Sequence, residues 1–150
     1  MLQTEYAKGV EIAPTPDGAD DTTSYRATID LATGDLTLNN IIEMGPLPAG
    51  CVLVDAILDT DDLDSGTPAI TLDVGIMSGD FGVVDGARTC GAEILSAVTT
   101  AQAGGVVRPT LASAFRIARS DVDRGIGLKI KAAPGTAAAG TVGLTVIYRG

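Results

Sequence analysis

The sequence contains no histidine and no tryptophan, and only 3% of its 150 residues are aromatic. Without an imidazole, the chain cannot build a Ser-His-Asp or Cys-His nucleophilic site or a zinc site with histidine ligands. With so few rings, a core must consist mainly of valine, isoleucine, leucine and alanine. The length suits one domain with a core of its own, since 45% of the residues are hydrophobic.

Long hydrophobic runs are also missing. No apolar run approaches the ~18 residues of a membrane-spanning helix, and the first residues lack the basic and apolar regions of a signal peptide. We therefore expect no membrane partner. Cys51 and Cys90 are too far apart in sequence for a Cys-x-x-Cys metal or redox motif. Whether they form a disulfide stays open at this point, because pairing depends on geometry.

Basic residues are scarce in the first half of the chain. Residues 1–85 carry sixteen acidic and two basic side chains, residues 86–150 carry three acidic and eight basic ones, and the net charge is −9. Nucleic acid is not an expected partner, because phosphate binding needs clustered lysine and arginine. Either strands from the two halves interleave and the asymmetry averages out, or oppositely charged faces guide docking. We favour interleaving, since nothing in the sequence locates such faces.

From Tyr25 onward, apolar and polar residues alternate with a period of two, which is typical of half-buried strands. No stretch of twelve residues keeps a helical period, and Ala92–Ala103, which comes nearest, is followed by two glycines. Many short strands without helices predict an all-β antiparallel sandwich, and about eight of them favour a jelly roll. The predicted strands are 25–31, one starting at 36, 51–59, 69–77, 93–97, 106–111, 114–118, 125–132 and 141–149.

The alternation also predicts which side chains face the core. We expect inward-facing side chains at one position in each of five strands. These positions are Ile29, Val54, Leu72, Leu128 and Val146.

Residues 1–23 show no sustained period and contain Pro14 and Pro16. This pattern predicts an extended N-terminal arm, followed by a single sandwich domain over residues 24–150. We expect the arm to project, because prolines cannot donate to a central strand. Its apolar side chains are candidate contacts with a neighbouring protein: Leu2, Tyr6, Val10 and Ile12.

Four aspartates lie within the stretch Asp59–Gly66 and could supply oxygen ligands to Ca²⁺: Asp59, Asp61, Asp62 and Asp64. The EF-hand template fails, because its fifth position is Leu63 and no glutamate closes the loop. We favour an exposed acidic hairpin loop between two strands, and Ca²⁺ binding stays an open alternative. A glycosidase pair would need one carboxyl with a raised pKa in an apolar cleft, which nothing here indicates. We predict no enzyme activity, no metal and no cofactor.

Residues 78–91 form a long predicted loop rich in glycine. Gly79-Asp-Phe-Gly82 has the letters of a kinase metal motif without the accompanying loops. The loop could cradle an anion, but the Gly-Lys-Ser/Thr ending of a phosphate loop is missing. Loops of this length are often interaction surfaces, so Phe81 and Arg88 are candidate partner contacts.

A second candidate contact segment carries Arg116, Arg119 and Arg124 among Asp121 and Asp123. It is either a solvated turn whose ion pairs contribute little, or a surface that docks on an acidic partner. Of these residues, Arg116 and Arg119 are the candidate contacts.

Several stretches together resemble a known family. They are Leu47-Pro-Ala-Gly-Cys-Val-Leu-Val-Asp-Ala-Ile-Leu-Asp59 with Asp62-Leu-Asp-Ser-Gly-Thr-Pro-Ala-Ile-Thr-Leu-Asp-Val-Gly75, Ala114-Phe-Arg-Ile-Ala118 before Asp123-Arg-Gly-Ile-Gly127, and Ala139-Gly-Thr-Val-Gly-Leu-Thr-Val-Ile-Tyr-Arg149. Over roughly residues 36–149 the chain resembles the capsid cement or decoration proteins of tailed bacteriophages. These motifs are strand and turn patterns and carry no catalytic signature.

The resemblance implies a jelly-roll subunit on the outer surface of an icosahedral virion, made in the cytoplasm of the bacterial host. It implies that the subunit bridges neighbouring major capsid proteins and associates with itself as a homodimer or homotrimer. The alternative is a carbohydrate-binding or host-attachment module on a virion or cell surface, because fold does not decide function. Sugar-binding surfaces usually need exposed tryptophan or tyrosine. This chain has no tryptophan and only three tyrosines, which disfavours the alternative.

Overall fold

A computed structural model describes all 150 residues and contains two β-sheets. Its helical residues are confined to short 3-10 turns at Thr33–Asp35, Thr100–Gln102 and Ala112–Arg116, and none is long or apolar enough to cross a membrane. The strands are β1 (Leu2–Gln3), β2 (Thr22–Leu31), β3 (Ile41–Leu47), β4 (Val52–Thr60), β5 (Thr71–Ile76), β6 (Leu95–Val98), β7 (Gly105–Val107), β8 (Arg124–Ala132) and β9 (Gly140–Arg149).

The two sheets have the strand orders β2-β9-β4-β7 and β1-β3-β8-β5-β6. All neighbouring strands are antiparallel except β1 and β3, which pair in parallel. The chain changes sheet at every connection from β2 to β9 apart from β5–β6, which is the connectivity of a jelly roll. The predicted all-β, jelly-roll-like sandwich is confirmed.

Acidic and basic halves of the chain interleave within both sheets. Strands from residues 1–85 alternate with strands from residues 86–150, starting from β2 in the first sheet and from β3 in the second. Five of the seven ion pairs join a cation of the second half to a carboxylate of the first. The charge asymmetry along the sequence is therefore averaged in space, as the favoured interpretation predicted.

Three of the five predicted core side chains are completely buried: Leu72, Leu128 and Val146. Ile29 is half-buried and packs against the edge of the same core. The alternation therefore located the inner faces of β5, β8 and β9 correctly.

Val54 is a wrong prediction, because 36% of its surface is exposed. The pairing of β4 with β9 shifts between Leu53 and Asp55, where a β-bulge places one extra residue in β4. Leu53 before the bulge and Ala56 after it both face the core. A strict period of two across the bulge assigns Val54 to the wrong face.

Three predicted local structures differ from those observed. The strand expected from Leu36 begins at Ile41, and Leu36 is instead a buried residue that follows a 3-10 turn. Residues 114–118 lie largely in the turn Ala112–Arg116 rather than in a strand. The stretch Asp59–Gly66 is no hairpin loop, because β4 and β5 belong to different sheets.

The connectivity sorts the loops onto two ends of the sandwich. We call the end with residues 32–40, 61–70, 99–104 and 133–139 the closed end. We call the opposite end the loop end. It carries residues 48–51, 77–94 and 108–123 and most of residues 1–21 (the N-terminal segment), which starts beside the beginning of β3.

The N-terminal segment was expected to project, but it packs along the sandwich. Its Thr4 and Ala7 are buried, and the Tyr6 ring lies 4.6 Å from the ring of Tyr25. The Tyr148 hydroxyl donates a hydrogen bond to the carbonyl of Pro14. The segment avoids the strand-breaking effect of its prolines because it enters the sheet at β1, before them.

Candidate interaction surface at the loop end

A buried ion pair fixes the loop of residues 77–94. The Arg88 Nη2 lies 2.7 Å from the Glu43 Oε1, and both side chains are almost completely buried. The other guanidinium nitrogens of Arg88 donate to the carbonyls of Ser78 and Val83, at 2.6 and 2.7 Å. Arg88 thus uses each nitrogen inside its own subunit and holds the loop on the outer face of β3.

The same ion pair also ties in the N-terminal segment. The Gln3 side-chain amide donates to the Glu43 Oε2 at 2.9 Å and to the Gly82 carbonyl at 3.0 Å. Gly125 of β8 leaves room for this network, since a Cβ there would lie 2.3 Å from the Glu43 Oε1. Because the pair is fully hydrogen-bonded and shielded from water, it gives the loop one defined conformation.

Exposed apolar side chains concentrate at the loop end. Of the ten large hydrophobic side chains that the structure exposes, one lies at the closed end and two lie on strands. The other seven are at the loop end: Val10, Ile12, Val83, Val84, Leu111, Phe115 and Val122. Clustered exposed apolar surface on a soluble domain typically marks an interaction site.

Two of the loop-end residues, Ile12 and Phe81, line one groove. Together with three exposed valines close to them in sequence, we call them the apolar patch: Val10, Ile12, Phe81, Val83 and Val84. The groove has a volume of about 220 Å³ and is lined by Ile12 and the half-buried Phe81, together with Pro46 of β3 and Pro48 just after it. Val10 lies beside it in sequence, and Val83 and Val84 continue the fixed loop beyond Phe81. Glu11 and Asp123 also line this groove and bring two carboxyl groups to it.

Three arginines at the loop end lack a carboxylate partner. Seven of the ten lysine and arginine side chains form ion pairs, and the exceptions are Arg116, Arg119 and Arg124. Arg119 donates to the carbonyls of Gly50 and Gly150, so it ties the end of β9 to the loop before β4. Arg116 and Arg124 line a second groove of about 530 Å³.

Comparison with solved structures decides the family. A chain in the capsid of Ralstonia phage GP4 is 49% identical, with a TM-score of 0.94, and the match covers 99% of this chain and 96% of that chain. The chain belongs to a family of bacteriophage capsid proteins. A chain of the cyanophage Pam1 capsid asymmetric unit is 25% identical, with a TM-score of 0.69, over 93% of this capsid protein and 91% of the other chain. No family model and no curated protein matches it.

The eight candidate contact residues of this capsid protein fall into different environments. Leu2 and Tyr6 pack against its own core, and Arg88 is buried in the ion pair. Arg119 is exposed but bound to carbonyls. The remaining four are accessible, three on the apolar patch and Arg116 in the second groove: Val10, Ile12, Phe81 and Arg116.

Sequence reasoning missed Val83 and Val84 as contact candidates. A signal was present, because two adjacent valines stand in a loop that is otherwise rich in glycine and aspartate. It also missed the partner of Arg88, because Glu43 lies 45 positions away and no local pattern links them.

The acidic stretch of this capsid protein serves the closed end. Asp64 is buried, and its carboxylate accepts backbone N–H bonds of 2.7–3.0 Å from Ala69, Ile70, Gly135 and Thr136. These bonds, the one from Thr136 foremost, hold the pKa of Asp64 well below its ordinary value. The carboxylate therefore ties residues 69–70 to residues 135–136, beside the short backbone pairing of residues 63–65 with 136–138.

The structure brings together no group of three or more acidic or cysteine side chains that could hold a metal ion. Both cysteines are free and buried. Burial raises the pKa of the Cys90 thiol to about 12, so this thiol is protonated and unreactive at neutral pH.

Proposed function

We propose that this capsid protein is a decoration (cement) subunit that binds the outer surface of an assembled phage shell and bridges neighbouring major capsid proteins. The observation that carries the proposal is the concentration of exposed apolar side chains on one rigid end of a chain from a capsid family. A subunit that binds only the assembled shell stabilises that state by mass action. Many copies can then resist internal pressure together.

The apolar patch has the anatomy of a protein interface. It combines exposed apolar side chains with the charged residues Glu11 and Asp123, which line the same groove, as interfaces combine an apolar core with polar neighbours. Its conformation is set before binding, because the Glu43–Arg88 pair and Gln3 hold the loop and the N-terminal segment together. Such preorganisation lowers the entropy lost on binding. We propose that the loop end faces the shell and that the subunit sits there as a homodimer or homotrimer.

The experiment is a titration of purified shells that lack this subunit, with occupancy measured by sedimentation and orientation by cryo-electron microscopy. We expect saturable binding, with the loop end facing the shell and the closed end pointing outward. Decorated shells should withstand heating better than bare ones. Failure of the wild-type protein to bind shells, together with specific signals on a glycan array, would favour the carbohydrate-binding alternative.

A further inference from the structure

Two guanidinium groups without a carboxylate partner share one groove at the loop end. Arg116 is exposed and takes part in no hydrogen bond or ion pair within the subunit, which leaves all its donors free. Arg124 donates from Nη2 to the Ala118 carbonyl at 2.7 Å, and its Nε is buried without any partner. In a chain of net charge −9, where seven other cations are paired, unsatisfied arginines in one groove are an exception that a ligand would explain.

The walls of this groove are mixed. Ile76 and Ile117 supply apolar surface, and Glu93 and Ser113 are held in place by hydrogen bonds. The Glu93 Oε2 accepts the Ile76 N–H at 3.1 Å, and the Ser113 hydroxyl donates to the Glu93 carbonyl at 2.8 Å. One wall of the groove is therefore fixed to β5. The hydrogen-bond donors available to a ligand belong to the arginines.

We infer that this arginine groove receives a carboxylate side chain of the neighbouring major capsid protein, an aspartate or glutamate flanked by apolar residues. The inference rests on the proposed function and names the chemistry of the contact. An arginine can bind a carboxylate with two parallel hydrogen bonds, which adds direction to charge attraction. The isoleucines would cover the apolar neighbours of that residue.

Phosphate-rich ligands suit the groove less well. Glu93 places a carboxyl group on the groove wall, and the whole chain is acidic, so repulsion grows with the ligand's negative charge and is larger for a polyanion than for one carboxylate. A single carboxylate brings one charge to two guanidinium groups and leaves its chain free to contact the apolar walls. These observations favour an acidic protein segment over nucleic acid.

The first test titrates shells that lack the subunit with wild-type protein, Arg116→Gln, and Arg116→Gln combined with Arg124→Gln. We expect the single change to weaken binding about tenfold and the double change to weaken it further, because each leaves a partner carboxylate unpaired. Arg108→Gln is the matched control. It removes the same charge from an exposed arginine that pairs with Asp55 outside the groove, and it should change binding less than about twofold.

Folding is checked separately, since Arg124 also holds the Ala118 carbonyl. Arg116 makes no contact that stabilises the fold, so Arg116→Gln should keep the wild-type melting temperature. If wild-type protein decorates and protects shells while Arg116→Gln and the double variant bind equally well, the groove inference is wrong and the decoration function stands. If wild-type protein does not bind shells, both are wrong.

The second test identifies the partner group. Arg116→Lys places a primary amine in the groove, and a carbodiimide joins an amine to a carboxylate in contact with it, forming an amide and releasing the urea. We expect mass spectrometry to find a cross-link from position 116 to an acidic residue of the major capsid protein, and none from Arg108→Lys. No cross-link from position 116, or displacement of wild-type protein from shells by inorganic polyphosphate but not by an acidic peptide, would overturn the carboxylate assignment.

Discussion

The two ends of the sandwich use charged residues in opposite ways. At the closed end, the Asp64 carboxylate accepts hydrogen bonds from four backbone amides, and Leu63 beside it is completely buried. At the loop end, charge is buried only in the Glu43–Arg88 pair, while three arginines remain without a carboxylate. The closed end uses its polar groups within the fold, whereas the loop end leaves three arginines without a carboxylate partner.

Apolar surface shows the same contrast. Leu38 is the one large hydrophobic side chain that the closed end exposes, against seven at the loop end. The closed-end loops are held by hydrogen bonds to one another and expose little apolar surface. Long loops can expose apolar side chains only if something else holds them, and here the Glu43–Arg88 pair does so. Under the proposed function, binding belongs to the loop end, whose loops depend on the Glu43–Arg88 pair, whereas the closed end serves the fold alone.

The largest effect is expected from breaking that pair. Arg88→Met leaves Glu43 buried without its cation and should destabilise the fold by about 3–5 kcal/mol, measured by urea unfolding. The loop of residues 77–94 should also lose protection from hydrogen exchange, and shell binding should fall with it. Arg108→Met, which removes the cation of an exposed pair, is the control and should cost about 0–1 kcal/mol.

Combining Arg88→Met with Glu43→Gln sharpens this prediction. Because the double variant leaves no buried charge, it should regain part of the lost stability without restoring the loop conformation. Equal stability of Arg88→Met and wild-type protein would show that the loop does not depend on the pair.

The closed end should be sensitive to acid through Asp64. The folded state holds the pKa of this carboxyl below its ordinary value of 3.8, so the ionised form stabilises the fold above that pH. The contribution is lost as the pH falls below 3.8 toward the folded pKa. Asp64→Asn turns an amide NH₂ toward backbone donors, so it should lower the melting temperature at pH 7. The difference in melting temperature between the variant and the wild-type protein should shrink as the pH falls. A gap that is constant from pH 7 to pH 2 would contradict this.

The sequence predicted the parts of the fold that alternate cleanly. β5, β8 and β9 were placed within two residues of their observed ends, because each buries one face against the core. The strand expected from Leu36 was misplaced relative to β3, because both faces of β3 are covered and Pro46 interrupts the alternation. The bulge that exposes Val54 has no signal in the sequence, since it depends on the pairing with β9.

The candidate site was predicted less completely than the fold. Val10 and Ile12 are exposed as expected, because apolar residues among polar ones have no strand to join. The position of Arg88 could not be predicted, since its partner Glu43 is distant in sequence. Only the fold shows that the N-terminal segment and residues 77–94 form one surface.

The apolar patch should govern binding and leave stability unchanged. Val83→Ser combined with Val84→Ser removes exposed apolar surface and should weaken attachment to shells by about tenfold, or roughly 1.4 kcal/mol. Leu38→Ser makes a similar change at the closed end, where 59% of the leucine is exposed, and should leave binding as it was. If the Leu38 variant binds as weakly as the double valine variant, the assignment of the interface to the loop end is wrong.

The smallest effect is expected from Asp61→Asn combined with Asp62→Asn, which makes the same chemical change as Asp64→Asn only a few residues away. The Asp61 Oδ2 accepts the Thr141 N–H at 2.8 Å, and the Asp62 Oδ1 accepts the Asp64 N–H at 2.9 Å. An asparagine carbonyl can accept either bond, and both side chains are exposed, so unfolding free energy should change by less than about 0.5 kcal/mol. Millimolar Ca²⁺ should raise the melting temperature of neither the parent nor the variant, because Asp64 already has four N–H partners. A rise in the parent alone would restore the calcium alternative and show that the closed end, too, reserves charge for a ligand.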